Sequence, residues 1–144
     1  MGYFEHEYFD ENKITVENHA LGGTSSRTFY NRLWPDVLKG VRKGDWVIIE
    51  LGHNDNGPYD SGRARASIPG IGKDSLNVTI KETGAKETVY TYGEYMRRFI
   101  HDVKKKRRSS YFDVPNSSQR LGRCRQHYYY PGKSDIWIMG EAGS

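Results

Sequence analysis

A chain of 144 residues has room for one modest domain, and 35% hydrophobic against 28% charged residues gives it a thin core for that length. The single cysteine, Cys124, excludes an internal disulfide and offers no partner for a cysteine-rich metal site. No run approaches the roughly 18 apolar residues of a membrane span, and residues 1–13 are acidic and aromatic where a secretion signal is basic and then apolar; no membrane association is expected, and the cytoplasm is the default compartment.

The first element in chain order is "KITVEN", residues 13–18, where Ile14 and Val16 alternate on one face of a short strand. "HALGGTSS" follows. Gly22 and Gly23 mark a tight backbone there, and Thr24 or Ser25 is placed to cap a helical turn through "SSRTFYNR". Pro35 suits the first position of a further helix, "PDVLKGVRKG", with Val37, Leu38 and Val41 as its apolar stripe. The continuous apolar run of "DWVIIEL" predicts a strand covered on both faces, as in a parallel sheet.

Strand, helix and strand in about thirty residues is βαβ spacing. In an open parallel sheet, functional groups gather in loops after the carboxyl ends of the strands. "HALGGTSS" and "GHNDNG" both occupy such loops. Residues 56–76, rich in Gly, Pro and Ser, predict a long surface loop of the kind that is often functional. "NVTIKETGAKETVYTY" predicts a hairpin. "TYGEYMRRFIHDVKKK" predicts a helix, because Tyr92, Tyr95, Met96, Phe99, Ile100 and Val103 recur at three- and four-residue steps.

Beyond that helix the pattern fails. From Lys104 onward there are nine Lys/Arg against three acids, whereas the preceding residues hold thirteen basic and fifteen acidic side chains. The net charge of +4 therefore belongs to the tail, and only "DIWIM" interrupts its polar, Ser/Arg-rich character. Residues 107–144 are expected to be a disordered or aberrant tail, and residues 1–106 the domain. A charge run at a helix end accounts for "KKKRRSS" more simply than phosphate contacts do, so no nucleic-acid partner is expected.

Recognisable catalytic cassettes are missing: no G-x-S-x-G elbow, P-loop, H-E-x-x-H or G-x-G-x-x-G occurs. His6, His19, His53, His101 and His127 lack metal-ligand spacing, so neither a metal nor an organic cofactor is expected. Ser25 and Ser26 read as helix-start residues rather than nucleophiles. What the two loops do offer is hydrogen-bond donors. A glycine N–H at Gly23 and the side-chain amide of Asn54 suit stabilisation of an oxyanion in acyl transfer, although both also read simply as turn residues tolerant of unusual backbone angles. Arg63, Arg65 and Lys73 are candidates to meet sugar carboxylates and Tyr59 to stack on a sugar ring; ordinary solvated loop charges are the plainer alternative.

"NHALGGTSSRTF" and "VIIELGHNDNG" resemble the second and third blocks of the SGNH, or GDSL-type, hydrolase superfamily, and more narrowly its rhamnogalacturonan acetylesterase branch. The similarity runs from about Gly2 to Lys106. It implies a flavodoxin-like three-layer α/β/α fold and Ser-His-Asp hydrolysis of acetyl esters on acidic pectic polysaccharide, without a cofactor. By residue matching, Gly23 and Asn54 take the family's oxyanion roles. Complete members of such a family act outside the cell or in the periplasm.

The family's first block, a Gly-Asp-Ser sequence, does not occur in the chain, and at the Asp-x-x-His block His127 has Cys124 where Asp is required. The resemblance therefore implies a truncated form without nucleophile, base or orienting acid, and His53 does not replace the base. In a 2-1-3-4-5 strand order the family's first strand lies between residues 14–18 and 46–51. That position is expected to be vacant, the parallel sheet incomplete and the chain marginally stable or unfolded. A non-catalytic carbohydrate-binding or regulatory remnant is the alternative, and association with nucleic acid through the basic tail a weaker one.

Overall fold

The computed structural model of the protein describes residues 10, 12–109 and 134–140. Its mixture of helices and strands is compatible with an α/β fold. β1 (Ile14–Asn18) leads through a loop into α1 (Ser26–Thr28), one π-helical turn (Phe29–Leu33) and α2 (Trp34–Gly40); β2 (Trp46–Glu50) follows. A hairpin of β3 (Ser75–Thr79) and β4 (Lys86–Tyr90) precedes α3 (Tyr92–Ser109), and the last described element is β5 (Ser134–Gly140).

Local chemistry explains where these elements begin and bend. Ser25 sits in extended conformation at the N-cap, and its hydroxyl accepts from the Thr28 N–H while the Thr28 hydroxyl accepts from the Ser25 N–H. That reciprocal pair satisfies two donors a helix start otherwise leaves open. Pro35 has no N–H to return to the preceding turn, and its ring crowds the carbonyl four residues back. The chain widens there, so that the Trp34 N–H bonds the Phe29 carbonyl five residues earlier. Thr91 caps α3 by accepting from the Glu94 N–H at 3.1 Å.

The core lies where α3 crosses the helical segment 26–40. Phe29, Trp34, Val37, Val41, Leu51, Tyr95 and Phe99 form the buried cluster. Phe99 is its centre, meeting Trp34 and Tyr30 edge-on at 5.0 and 5.1 Å between ring centroids. Burial of one such side chain contributes about 1.5–3 kcal/mol. Trp34 Nε1 and the Tyr30 hydroxyl both donate to Asp102 Oδ2, at 3.0 and 2.9 Å, so the polar ends of both rings are satisfied. Burial, together with that carboxylate, pushes the Tyr30 hydroxyl up to about 12.

The three-stranded sheet has the order β1-β5-β2, with both pairings parallel. Val16 stands opposite Ile136, and Ile48 opposite Ile138. β5 therefore occupies the position between β1 and β2 that the sequence reading expected to be vacant. Residues 134–140 belong to the sheet rather than to a separate tail. The expected boundary at residue 106 also falls inside α3, which continues to Ser109; a basic last turn extends a helix because it complements the helix dipole. Residues 110–133 and 141–144 lie outside the described residues.

The reading of β2 as covered on both faces also requires correction. Val47 and Ile49 pack on the core cluster, but Trp46 is 70% exposed and Ile48 48%. Among the described residues, packing against the core serves only the face that carries Val47 and Ile49.

Candidate functional site

The loop after β1 and the turn after β2 meet at Asp55. This carboxylate is buried and accepts from the Ser26 N–H at 3.1 Å, from the Ser26 hydroxyl, and from the Ser67 hydroxyl at 2.7 Å. Its own carbonyl accepts from the Ser67 N–H at 3.0 Å. One side chain thus fixes the start of α1, the Gly52–Gly57 turn and the long loop to one another. The serine at position 26 is committed to this brace, and Ser25 to the cap and to the Arg65 carbonyl at 2.5 Å; both are helix-start residues here.

Replacing Asp55 with alanine strands buried donors on both loops, each costing about 1–3 kcal/mol. The expected loss is about 3 kcal/mol in urea denaturation, and Asp55→Asn should recover part of it by keeping an acceptor. A loss below about 1 kcal/mol would show that the brace contributes little.

Asn54 stands beside this brace and reaches the other loop, its Nδ2 donating to the Thr24 carbonyl at 3.1 Å. Gly23, next in the chain to Thr24, adopts φ +78°, a conformation that disfavours any side chain. Its N–H makes no hydrogen bond among the described residues, and its carbonyl accepts from Arg65 Nη1 at 3.0 Å. The two sequence-predicted donors, Gly23 and Asn54, are therefore carried by loops joined by a direct hydrogen bond. Tyr92 supports the turn from below: its hydroxyl donates to the Leu51 carbonyl at 2.8 Å, and its ring lies 3.7 Å from where a Cβ on Gly52 would stand. Burial raises the Tyr92 hydroxyl above its ordinary value, with the Asp55 charge adding to it. His53 is exposed and makes no hydrogen bond among the described residues.

The long loop is pinned by Arg27. This side chain is buried and donates to both Glu87 oxygens at 2.8 and 2.7 Å, to the Tyr59 carbonyl at 2.9 Å and to the Ala66 carbonyl at 3.1 Å. Hydrogen bonding to the Arg27 guanidinium holds the Glu87 carboxyl below its usual range. The loop start and the β3-β4 hairpin are thereby tied to α1.

That anchoring sets Arg63 and Arg65 beside Gly23. Together with Arg32 they line a cavity of about 420 Å³ over the Leu21–Thr24 loop. Lys73 lies apart from them, on a groove along α3. Tyr59 serves Arg27 through its carbonyl. Sequence reasoning did not find Arg32, Ser67 or Glu87 as neighbours of the site. Arg32 carries a weak signal, following Arg27 on the helical segment, but Ser67 and Glu87 reach the site only through loop and hairpin geometry.

Among the described residues, no group of three His, Cys, Asp or Glu side chains is placed to hold a metal ion, and no helix is long and apolar enough to cross a membrane.

No protein-family model matches the chain. Over 88 residues it is 31% identical to a rhamnogalacturonan acetylesterase of Emericella nidulans, a match that takes in 60% of this chain and 35% of that protein. The chain thus spans about a third of the length of the curated relative it matches. This degree of identity supports a relationship to hydrolases.

Proposed function

We propose that the chain is part of an SGNH-type carbohydrate acetylesterase of flavodoxin-like layering, which removes acetyl groups from an acidic pectic polysaccharide such as rhamnogalacturonan. The observation on which this rests most is the Asn54–Thr24 hydrogen bond, which couples the loop of Gly23 to the turn of Asn54. In this reading the Gly23 N–H and Asn54 Nδ2 donate to the oxyanion that forms when an acetyl carbonyl becomes tetrahedral. Donors held in advance by a buried brace need no reorganisation as that charge develops. Asp55 is a positioning residue in this scheme.

The nucleophile of such a reaction, and the histidine and acid that activate it, have no counterpart by motif in the 144 residues. The resemblance gives the strand ahead of the nucleophile the position between β1 and β2, and β5 holds that position here. A complete catalytic centre therefore requires β5 to yield it. The chain alone is expected to leave a chromogenic acetate ester and acetylated rhamnogalacturonan unhydrolysed.

Two measurements test the reading. The coding DNA on either side should translate to a Gly-Asp-Ser block upstream and an Asp-x-x-His block downstream. In the protein carrying both blocks, Asn54→Ala should lower kcat by about 10²–10³-fold. An effect below about threefold would remove Asn54 from the oxyanion site. Turnover by the chain alone that disappears in Asn54→Ala would overturn the expected inactivity while supporting the role of Asn54.

A further inference from the structure

We infer that Asn77 is the attachment point of an N-linked glycan, and that this sugar guards the free edge of β3. The inference rests on the esterase reading for one thing only, the export of the complete protein toward a polysaccharide; the site itself rests on local geometry. Asn77-Val78-Thr79 is an Asn-x-Thr acceptor triplet with no proline at its middle position. Among the described residues no other asparagine has a Ser or Thr two places on; Asn116, which does, lies outside them.

Both ends of the triplet reach solvent. Asn77 and Thr79 are exposed on one face of β3, whereas Val78 between them shares the opposite face with Glu87, the partner of Arg27. The Thr88 hydroxyl donates to Asn77 Oδ1 at 2.8 Å. That bond uses the amide oxygen, so it survives modification of Nδ2, the atom that takes the sugar. A groove of about 460 Å³, lined by Asn77, Thr79 and Lys86 among others, gives the first sugar room. In the transfer, Nδ2 bonds to C1 of the reducing-end N-acetylglucosamine of a lipid diphosphate-linked oligosaccharide. The C1–O bond to the diphosphate breaks, the lipid diphosphate leaves with the electron pair, and one Nδ2 proton passes to a base of the transferase.

The position of the triplet gives the glycan its task. β3 pairs with β4 and with no other strand among the described residues. The Ile80 N–H donates to the Ala85 carbonyl at 2.8 Å, and hydrogen-bonded pairs alternate along an antiparallel ladder. Ser75, Asn77 and Thr79 therefore direct their backbone groups away from β4. Edges of this kind are ordinarily protected by charge, proline or a bulge. Ser75–Thr79 holds no charged residue and no proline, its register with β4 is unbroken, and Leu76 is 45% exposed. An oligosaccharide on the middle residue hinders the approach of a further strand.

Trypsin digestion of the native protein from its own source, read by mass spectrometry, tests the site. Residues 74–81 should be missing as the bare peptide. After peptide N-glycosidase treatment in heavy-oxygen water they should appear with Asn77 converted to a labelled aspartate; a bare, unconverted peptide would overturn the inference. Secreted from yeast behind an added leader, the full chain should carry the sugar. Thr79→Ala and Asn77→Gln should lose it, and Thr79→Ser should keep it. Light scattering should then give a larger protein mass for the two unglycosylated variants than for the glycosylated chain at equal concentration; equal masses would overturn the guarding role. A modified Asn77 in a completed protein that releases no acetate would refute the esterase reading alone. Acetate release by a protein whose Asn77 is unmodified would refute this inference alone.

Discussion

Arg27→Ala is expected to destabilise the folded chain by about 3 kcal/mol, the lower end of the range for breaking a buried ion pair. The arginine side chain is 1% exposed but that of Glu87 is 30% exposed, so water can partly resolvate the carboxylate once its partner has gone. The Tyr59 and Ala66 carbonyls lose their donor in the same step. Glu87→Gln retains an acceptor and should cost less, about 1–2 kcal/mol. Replacing Arg27 and Glu87 together by methionine should cost less than Arg27→Ala, because no orphaned charge remains. Urea midpoints of the four proteins check the order; a double methionine variant no more stable than Arg27→Ala would show that the two residues do not act as a pair.

This ion pair also has a pH signature. Arg27 holds the folded Glu87 carboxyl below its ordinary value, so the unfolded chain binds the proton more readily. The resulting stability is present above the unfolded value, about 4.3, and is lost as pH falls through the lower, folded one. Glu87→Gln should remove that contribution to the acid limb and leave stability above about pH 5 less dependent on pH. An acid limb of unchanged steepness in the variant would assign it to other carboxylates.

Ending the chain after Lys133 should have a still larger effect, confined at first to one sheet. β5 is the strand to which both β1 and β2 are hydrogen-bonded. Without it, two five-residue strands are left unpaired, and strands of that length do not persist alone in water. Backbone amides of residues 14–18 and 46–50 should lose protection from hydrogen exchange by about two orders of magnitude or more. The β3-β4 hairpin pairs within itself, so its amides should lose less. Undiminished protection in β1 and β2 would place another strand between them.

The local elements were readable because local chemistry writes them. Alternation at Ile14 and Val16, the Ser25 cap, the turn between Val78 and Val89, and the three- and four-residue spacing from Tyr92 to Val103 each need only a short window of sequence. The Asn54 turn was readable for the same reason, since an apolar strand ends just ahead of its first glycine. What the sequence concealed is non-local. "SDIWIMG" sits within basic, polar surroundings, and nothing in its own pattern says that Ile14 and Trp46 will flank it. The exposure of Trp46 depends on which face the core cluster meets. Glu87 becomes a neighbour of Arg27 only once the hairpin turns back, and Ser67 reaches Asp55 only through the course of the long loop.

The position of β5 imposes an order of events during synthesis. A ribosome delivers β1 and β2 early, yet the strand that pairs with both is made after α3 and everything between. Helix packing around Phe99 needs nothing made after α3, whereas the parallel ladder awaits residues 134–140 and must close longer loops. During that interval the backbone edges of β1 and β2 have no partner from the described sheet. Nascent chains are then at their most exposed to wrong pairing with one another. Slow elongation before residue 134 should therefore lower the soluble yield more than an equal delay placed after residue 140.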